Sequence, residues 1–120
     1  MSLGDWAHAR GRLRALLEGI AREGSTVTYG EAAREAFGGR FSARSGALMD
    51  LLGEVDQETF ESDGIMIASL VVRADTGRPG EGYFRFLEKF TPDALADREA
   101  TWRREAARVW EAYGLAEGKR

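Results

Sequence analysis

The 120-residue sequence contains no cysteine, one histidine and two prolines. Without a thiol there is no disulfide, no thiolate zinc site, no iron–sulfur cluster and no cysteine nucleophile. A single histidine, His8, builds neither a multi-histidine metal site nor a histidine-based triad, and it reads as a surface residue of the first helix. Long apolar runs are missing too, since the longest last a few residues and nothing is long enough to span a bilayer. No signal-peptide pattern opens the chain, so the expected location is cytoplasmic. Neither a cofactor nor a metal is expected.

What remains is the composition of one globular domain, residues 1–120, with 43% hydrophobic and 31% charged residues. Arginine supplies 15 of the 17 basic side chains, which favours planar, bidentate contacts. The formal charge of −3 is unevenly spread. Residues 1–49 sum to +2, whereas residues 50–64 carry Asp50, Glu54, Asp56, Glu58, Glu61 and Asp63 with no base, a net of −6. A weakly acidic average therefore leaves room for a basic face.

Hydrophobic spacing predicts a first helix over about 3–23, with Trp6, Ala9, Leu13, Leu16, Leu17 and Ile20 inward and Gly24 as its stop. Thr28-Tyr29-Gly30-Glu31 forms a capping box for a second helix ending at Gly38-Gly39. A third helix is expected from about Ser42 to Val55, with Leu48, Leu51, Leu52 and Val55 on one stripe and Gly46, Met49, Asp50 and Gly53 facing away. Residues 56–64 read as an acidic loop. Ile65 to Val72 reads as a strand, Ala74 to Gly82 as a Gly/Pro turn and Tyr83 to Leu87 as a return strand. Thr91-Pro92 then opens a long helix that ends near Tyr113-Gly114, leaving 115–120 as a frayed tail. Three helices and a β-hairpin over 1–90, followed by a helix over 91–114, give the expected fold: α+β, mainly α, a winged helix–turn–helix with a long C-terminal helix.

Four stretches carry a family resemblance. Val27-Thr28-Tyr29-Gly30-Glu31-Ala32-Ala33 resembles the opening of the turn unit in alkylguanine–DNA alkyltransferases and alkyltransferase-like proteins. Ala43-Arg44-Ser45-Gly46-Ala47-Leu48 resembles the start of their recognition helix, one residue shorter. Met66-Ile67-Ala68-Ser69-Leu70-Val71-Val72 lies where the family carries Ile-Pro-Cys-His-Arg-Val-Val, and Gly77 to Tyr83 resembles the glycine-rich stretch that follows. The resemblance spans roughly 12–86 and rests on shared order more than on any one motif. It implies a winged-helix DNA-binding domain in which Arg44 enters the duplex and supports a nucleotide turned out of the stack. It also implies lost chemistry. Ala68 stands at the reactive cysteine, with Ser69 and Leu70 for the histidine and arginine, so alkyl transfer has no acceptor and a non-catalytic protein is expected.

Duplex DNA is accordingly the expected partner, for a regulator or DNA-associated accessory protein. Thr28 and Tyr29 sit at one helix start, and Arg40, Ser42, Arg44 and Ser45 around the next, where amides and arginines meet phosphates. Arg73 and Arg78 would be wing contacts. Two alternatives stand beside this: Tyr29 as a core residue, and Arg44 snorkelling over the apolar side of the third helix. The rival function is protein association without DNA, through the acidic segment 50–64 or the C-terminal helix. On that helix Trp102, Val109, Trp110 and Tyr113 either close the core or form a partner interface, a homodimer included. Gly77 to Gly82 lacks the Lys-Ser/Thr of a phosphate loop, and Asp56 to Gly64 lacks calcium-loop spacing.

Overall fold

The computed structural model describes residues 1–89 and 96–114. Within them lie five α-helices: α1 (Leu3–Glu23), α2 (Tyr29–Phe37), α3 (Gly46–Asp63), α4 (Glu81–Leu87) and α5 (Arg98–Ala112). Two short strands, β1 (Val27–Thr28) and β2 (Val71–Val72), pair in parallel with Val27 opposite Val71 and Thr28 opposite Val72. The architecture is mainly α, as expected. No helix among the described residues is long and apolar enough to cross a membrane.

The first two helices follow the local code. Ser2 and Asp5 form a reciprocal capping box at the start of α1, and Gly24 at φ 70° lets the chain turn left-handed at its end. Ala9, Leu13, Leu17 and Ala21 recur every four residues and are wholly buried. The Thr28/Glu31 box opens α2 as expected, and Gly38 closes it. α1 packs across α2, α3, α5 and a 3₁₀ turn at Ile67–Leu70. Leu48, Leu51, Val55, Leu70 and Val109 complete that core, each fully buried and each contributing about 1.5–3 kcal/mol by leaving water.

The second half departs from expectation in four places. First, α3 starts at Gly46 rather than Ser42, because 42–45 form a turn in which the Ser45 hydroxyl donates to the Ser42 carbonyl at 2.9 Å. Arg44 thus lies ahead of the helix and is exposed, not snorkelling along it. Second, the acidic loop is helical, since α3 continues to Asp63 and stops at Gly64, φ 71°. The stripe Leu48, Leu52, Val55, Asp56, Thr59 carries one buried face through the segment, while Glu54 and Glu58 are held by arginines of α1.

Third, the expected β-hairpin is not formed. Thr59 Oγ1 donates to the Ile65 carbonyl at 2.8 Å and the Asp56 carboxylate accepts from the Ala68 amide at 2.7 Å. Both bonds draw 65–70 back onto α3, so it bends into a 3₁₀ turn and only Val71–Val72 stays extended, pairing with β1. Residues 83–87 are helical: Tyr83, Phe84 and Leu87 bury one face of α4, a stripe that alternation also mimics over so short a run. Fourth, α5 begins at Arg98, where Asp97 accepts from the Ala100 amide as its cap. The expected Thr91-Pro92 start, Leu95 and the 115–120 tail lie outside the described residues.

Candidate nucleic-acid interface

A groove of about 580 Å³ runs between the start of α2, the 43–49 segment and the 73–82 connection. Its wall is set by Tyr29, whose hydroxyl accepts from the Gly80 amide at 2.9 Å and so ties the first turn of α2 to the start of α4. Burial raises the Tyr29 phenol above its ordinary value, against the opposing Gly80 hydrogen bond. Tyr29 is thus a half-buried wall residue, in neither the free nor the fully buried position. Thr28, Gly30, Ala43, Arg44 and Arg73 line the same groove.

Behind it lies a chamber of about 40 Å³ that shares Tyr29, Met49 and Gly82 with the groove. Asp56, Ala68 and Tyr83 line its inner end. Asp56 is 2% exposed, and burial pushes its carboxyl up to about 7; the Ala68 amide opposes that shift and Glu105 of α5 adds to it. Tyr83 is raised as well, by burial first, and its hydroxyl is 2.7 Å from Ser69 Oγ. The Ser69 carbonyl accepts from Trp102 Nε1 at 2.8 Å, which joins α5 to this wall.

The two helix starts differ in what they offer an anion. At α2 the Thr28 hydroxyl and Glu31 carboxylate already satisfy the first amides, and these bonds hold Glu31 below its ordinary value. At α3 the Ser45 side chain makes no cap and the first turn holds no acid, so the positive end is open. Arg44 precedes it, with no ion pair among the described residues. Ser42, through its Oγ, accepts from the Arg44 amide at 3.3 Å and shapes the turn.

The remaining candidates are dispersed. Arg40 lines a separate pocket of about 150 Å³ with Asp5, His8 and Arg12. Arg73 is held by Asp75 through two hydrogen bonds of 2.9 and 2.8 Å, in the turn closed by the Arg73 amide on the Arg78 carbonyl. Arg78 reaches across to Glu99 of α5 at 2.6 Å. These two arginines flank a turn, not a hairpin tip.

The aromatic residues at α5 pack partly buried against the core. Val109 is fully buried, Trp110 Nε1 donates to the Ser25 carbonyl at 3.1 Å and Tyr113 Oη donates to Glu18 at 3.3 Å. With the Trp102 bond to Ser69, all four residues pack on the protein's own core, Trp102, Trp110 and Tyr113 keeping part of their surface open. No three of the described His, Asp and Glu side chains gather as metal ligands would.

Asp56, Met49, Gly82 and Tyr83 did not emerge from the sequence as site residues. Extending the helical stripe past Val55 would have placed Asp56 inward, since it lies four residues beyond Leu52. Compared with protein-family models, with curated proteins and with solved structures, the chain matches none.

Proposed function

We propose that this protein binds duplex DNA without catalysing a reaction, seating a nucleotide turned out of the stack in the groove beside Tyr29. One observation carries the reading. The four stretches that resemble alkyltransferases, far apart in sequence, all contribute to the groove and its chamber: Tyr29 from the first, Arg44 from the second, Ala68 from the third, Gly80 and Tyr83 from the fourth. A groove of about 580 Å³ falls in the size range of small-ligand sites, roughly 300–1,000 Å³. Arg44 and the open α3 start supply the phosphate contacts. At the inner end Ala68 presents a methyl group where the resemblance places a nucleophile, so the occupant is held and not modified.

Protein association through α5 draws on less, because Trp102 and Trp110 already spend their indole N–H groups on the Ser69 and Ser25 carbonyls and are partly buried. Association through 50–64 meets a helix whose Glu54 and Glu58 are already paired. Fluorescence anisotropy with a mixed-sequence duplex, from about 50 to about 200 mM salt, tests the DNA reading. Binding at low salt that weakens about tenfold on Arg44→Ala is expected. No binding at low salt, or binding indifferent to Arg44→Ala, overturns it.

A further inference from the structure

We propose that Asp56 selects what enters the inner chamber: one small hydrogen-bond donor, the exocyclic amino group of a heteroaromatic ring seated in the groove, in preference to a carbonyl oxygen at the same place. The inference rests on reading the groove as a nucleotide site, and it adds which edge of the ring that site accepts.

The chamber is far smaller than the groove, about 40 Å³ against about 580 Å³, so a ring seats in the groove and a substituent on it reaches Asp56. Its other polar groups each make one hydrogen bond: Tyr29 Oη accepts from the Gly80 amide and keeps its own O–H, and Tyr83 Oη is bonded to Ser69 Oγ. Met49, Leu52 and Phe86 make the rest of the wall largely apolar. Asp56 is the charged acceptor at the inner end. Its Oδ1 accepts from the Ala68 amide at 2.7 Å, and among the described residues no second donor reaches the carboxyl. The other oxygen is what this 2%-exposed side chain offers to an occupant. A carboxylate accepts from an amino N–H, while a carbonyl oxygen set against it leaves two acceptors facing each other without a proton.

The groups facing the carboxyl make this preference depend on pH. Glu105 of α5 repels it, the phenols of Tyr29 on α2 and Tyr83 on α4 are neutral neighbours, and no arginine is bonded to it. With the carboxyl pushed up to about 7, it is an acceptor in mild alkali and a protonated donor in mild acid. The carbonyl edge gains a partner as the pH falls.

Deoxycytidine and deoxyuridine differ at the relevant ring position by an amino group against a carbonyl, which makes them the probes. Each is titrated into the full-length protein near pH 8 and near pH 6, following the backbone amide resonance of Ala68, with a fully paired duplex run in parallel. Deoxycytidine is expected to bind about tenfold more tightly near pH 8, with the gap closing near pH 6. In Asp56→Asn the amide oxygen keeps the Ala68 bond and turns the NH₂ into the chamber, so deoxyuridine should bind better at both pH values. A thermal melt of that variant confirms its fold. Equal nucleoside affinities near pH 8, an Ala68 resonance that neither nucleoside moves, or an unchanged preference in Asp56→Asn overturns the inference even if the duplex binds. Failure of the duplex alone, with deoxycytidine preferred, overturns the DNA reading and leaves the chamber's selectivity standing.

Discussion

Replacing Asp56 by asparagine should change how stability depends on pH, in a direction opposite to that usual for a carboxylate. The carboxyl has an ordinary value of 3.8 and is pushed up to about 7 in the folded chain, with burial as the main cause. Between those values the folded protein holds a proton that the unfolded chain has released. The unfolded state then binds fewer protons, and stability falls as pH rises. The favourable contribution is complete below about pH 4 and is lost by the time pH passes about 7. Each pH unit is worth about 1.4 kcal/mol, so the interval amounts to roughly 4 kcal/mol, of which about 2–3 kcal/mol falls between pH 5 and pH 8. Asparagine cannot titrate, and its amide oxygen can still accept from the Ala68 amide now bonded at 2.7 Å. Urea unfolding of both proteins at several pH values isolates the effect, because the other acids, Asp5, Glu31, Asp75 and Glu81 among them, are common to both and cancel. The stability of Asp56→Asn relative to the parent should rise by about 2–3 kcal/mol from pH 5 to pH 8, a large share of the 5–15 kcal/mol typical of a domain. A difference that stays flat or shrinks over that range would refute the reasoning.

Further substitutions probe the same wall and the helix pairs around it. Tyr29→Phe leaves the Gly80 amide without its acceptor and should cost about 1–2 kcal/mol in urea unfolding, while lowering duplex affinity. In Gly82→Ala the new methyl meets the end of the flexible Met49 side chain. Stability in urea unfolding should change little, within about 1 kcal/mol, while nucleoside binding weakens, because the displaced Met49 lines both groove and chamber. Glu58→Gln removes the links to Arg10 at 3.0 Å and Arg14 at 3.1 Å, all three side chains being about one-third exposed. A loss of about 0.5–1 kcal/mol, smaller at high salt, should appear in urea melts at two ionic strengths.

The sequence disclosed its local structure well where the local code is strong. The Thr28/Glu31 capping box and the glycine stops of α1 and α2 were legible, because they need only residues within a few positions of each other; the Ser2/Asp5 box is as local and went unread. Two of the departures share one cause, a side chain reaching across the fold. Nothing in Ile65 to Val72 announces a bend, since the bend comes from Asp56 and Thr59 on α3 taking up the Ala68 amide and the Ile65 carbonyl. Nothing in Asp56 to Asp63 announces a helix on charge alone, since its acids are tolerated through Arg10 and Arg14, more than 40 positions away. The candidate site divides the same way. Tyr29, Arg44 and Arg73 were legible as polar residues at element ends, and they do line one groove. Arg40 was equally legible and lies in another pocket, while Asp56 was hidden inside a run that reads as solvated acid.

Internal pairing also changes what the net charge of −3 means for a nucleic-acid partner. Of the six acids in 50–63, Glu54 and Glu58 face arginines of α1, and Asp56 is buried with its carboxyl pushed up to about 7, which reduces its charge at neutral pH. Asp50, Glu61 and Asp63 remain exposed. Three arginines around the 73–82 connection are paired as well: Arg73 with Asp75, Arg78 with Glu99 and Arg98 with Glu81. Of the two arginines that line the groove, Arg44 is the one without an ion pair among the described residues, so with the uncapped start of α3 the proposed site offers phosphate one or two contacts. Each phosphate neutralised contributes about −0.9 to the slope of log affinity against log salt, so the slope for this protein should lie near −1 to −2. On the proposed reading, affinity comes mainly from a nucleotide seated in the groove, so the proposed selection at Asp56 would weigh more than in a strongly basic protein. A measured slope of about −5 or steeper would place the duplex on some other face and would separate it from the groove.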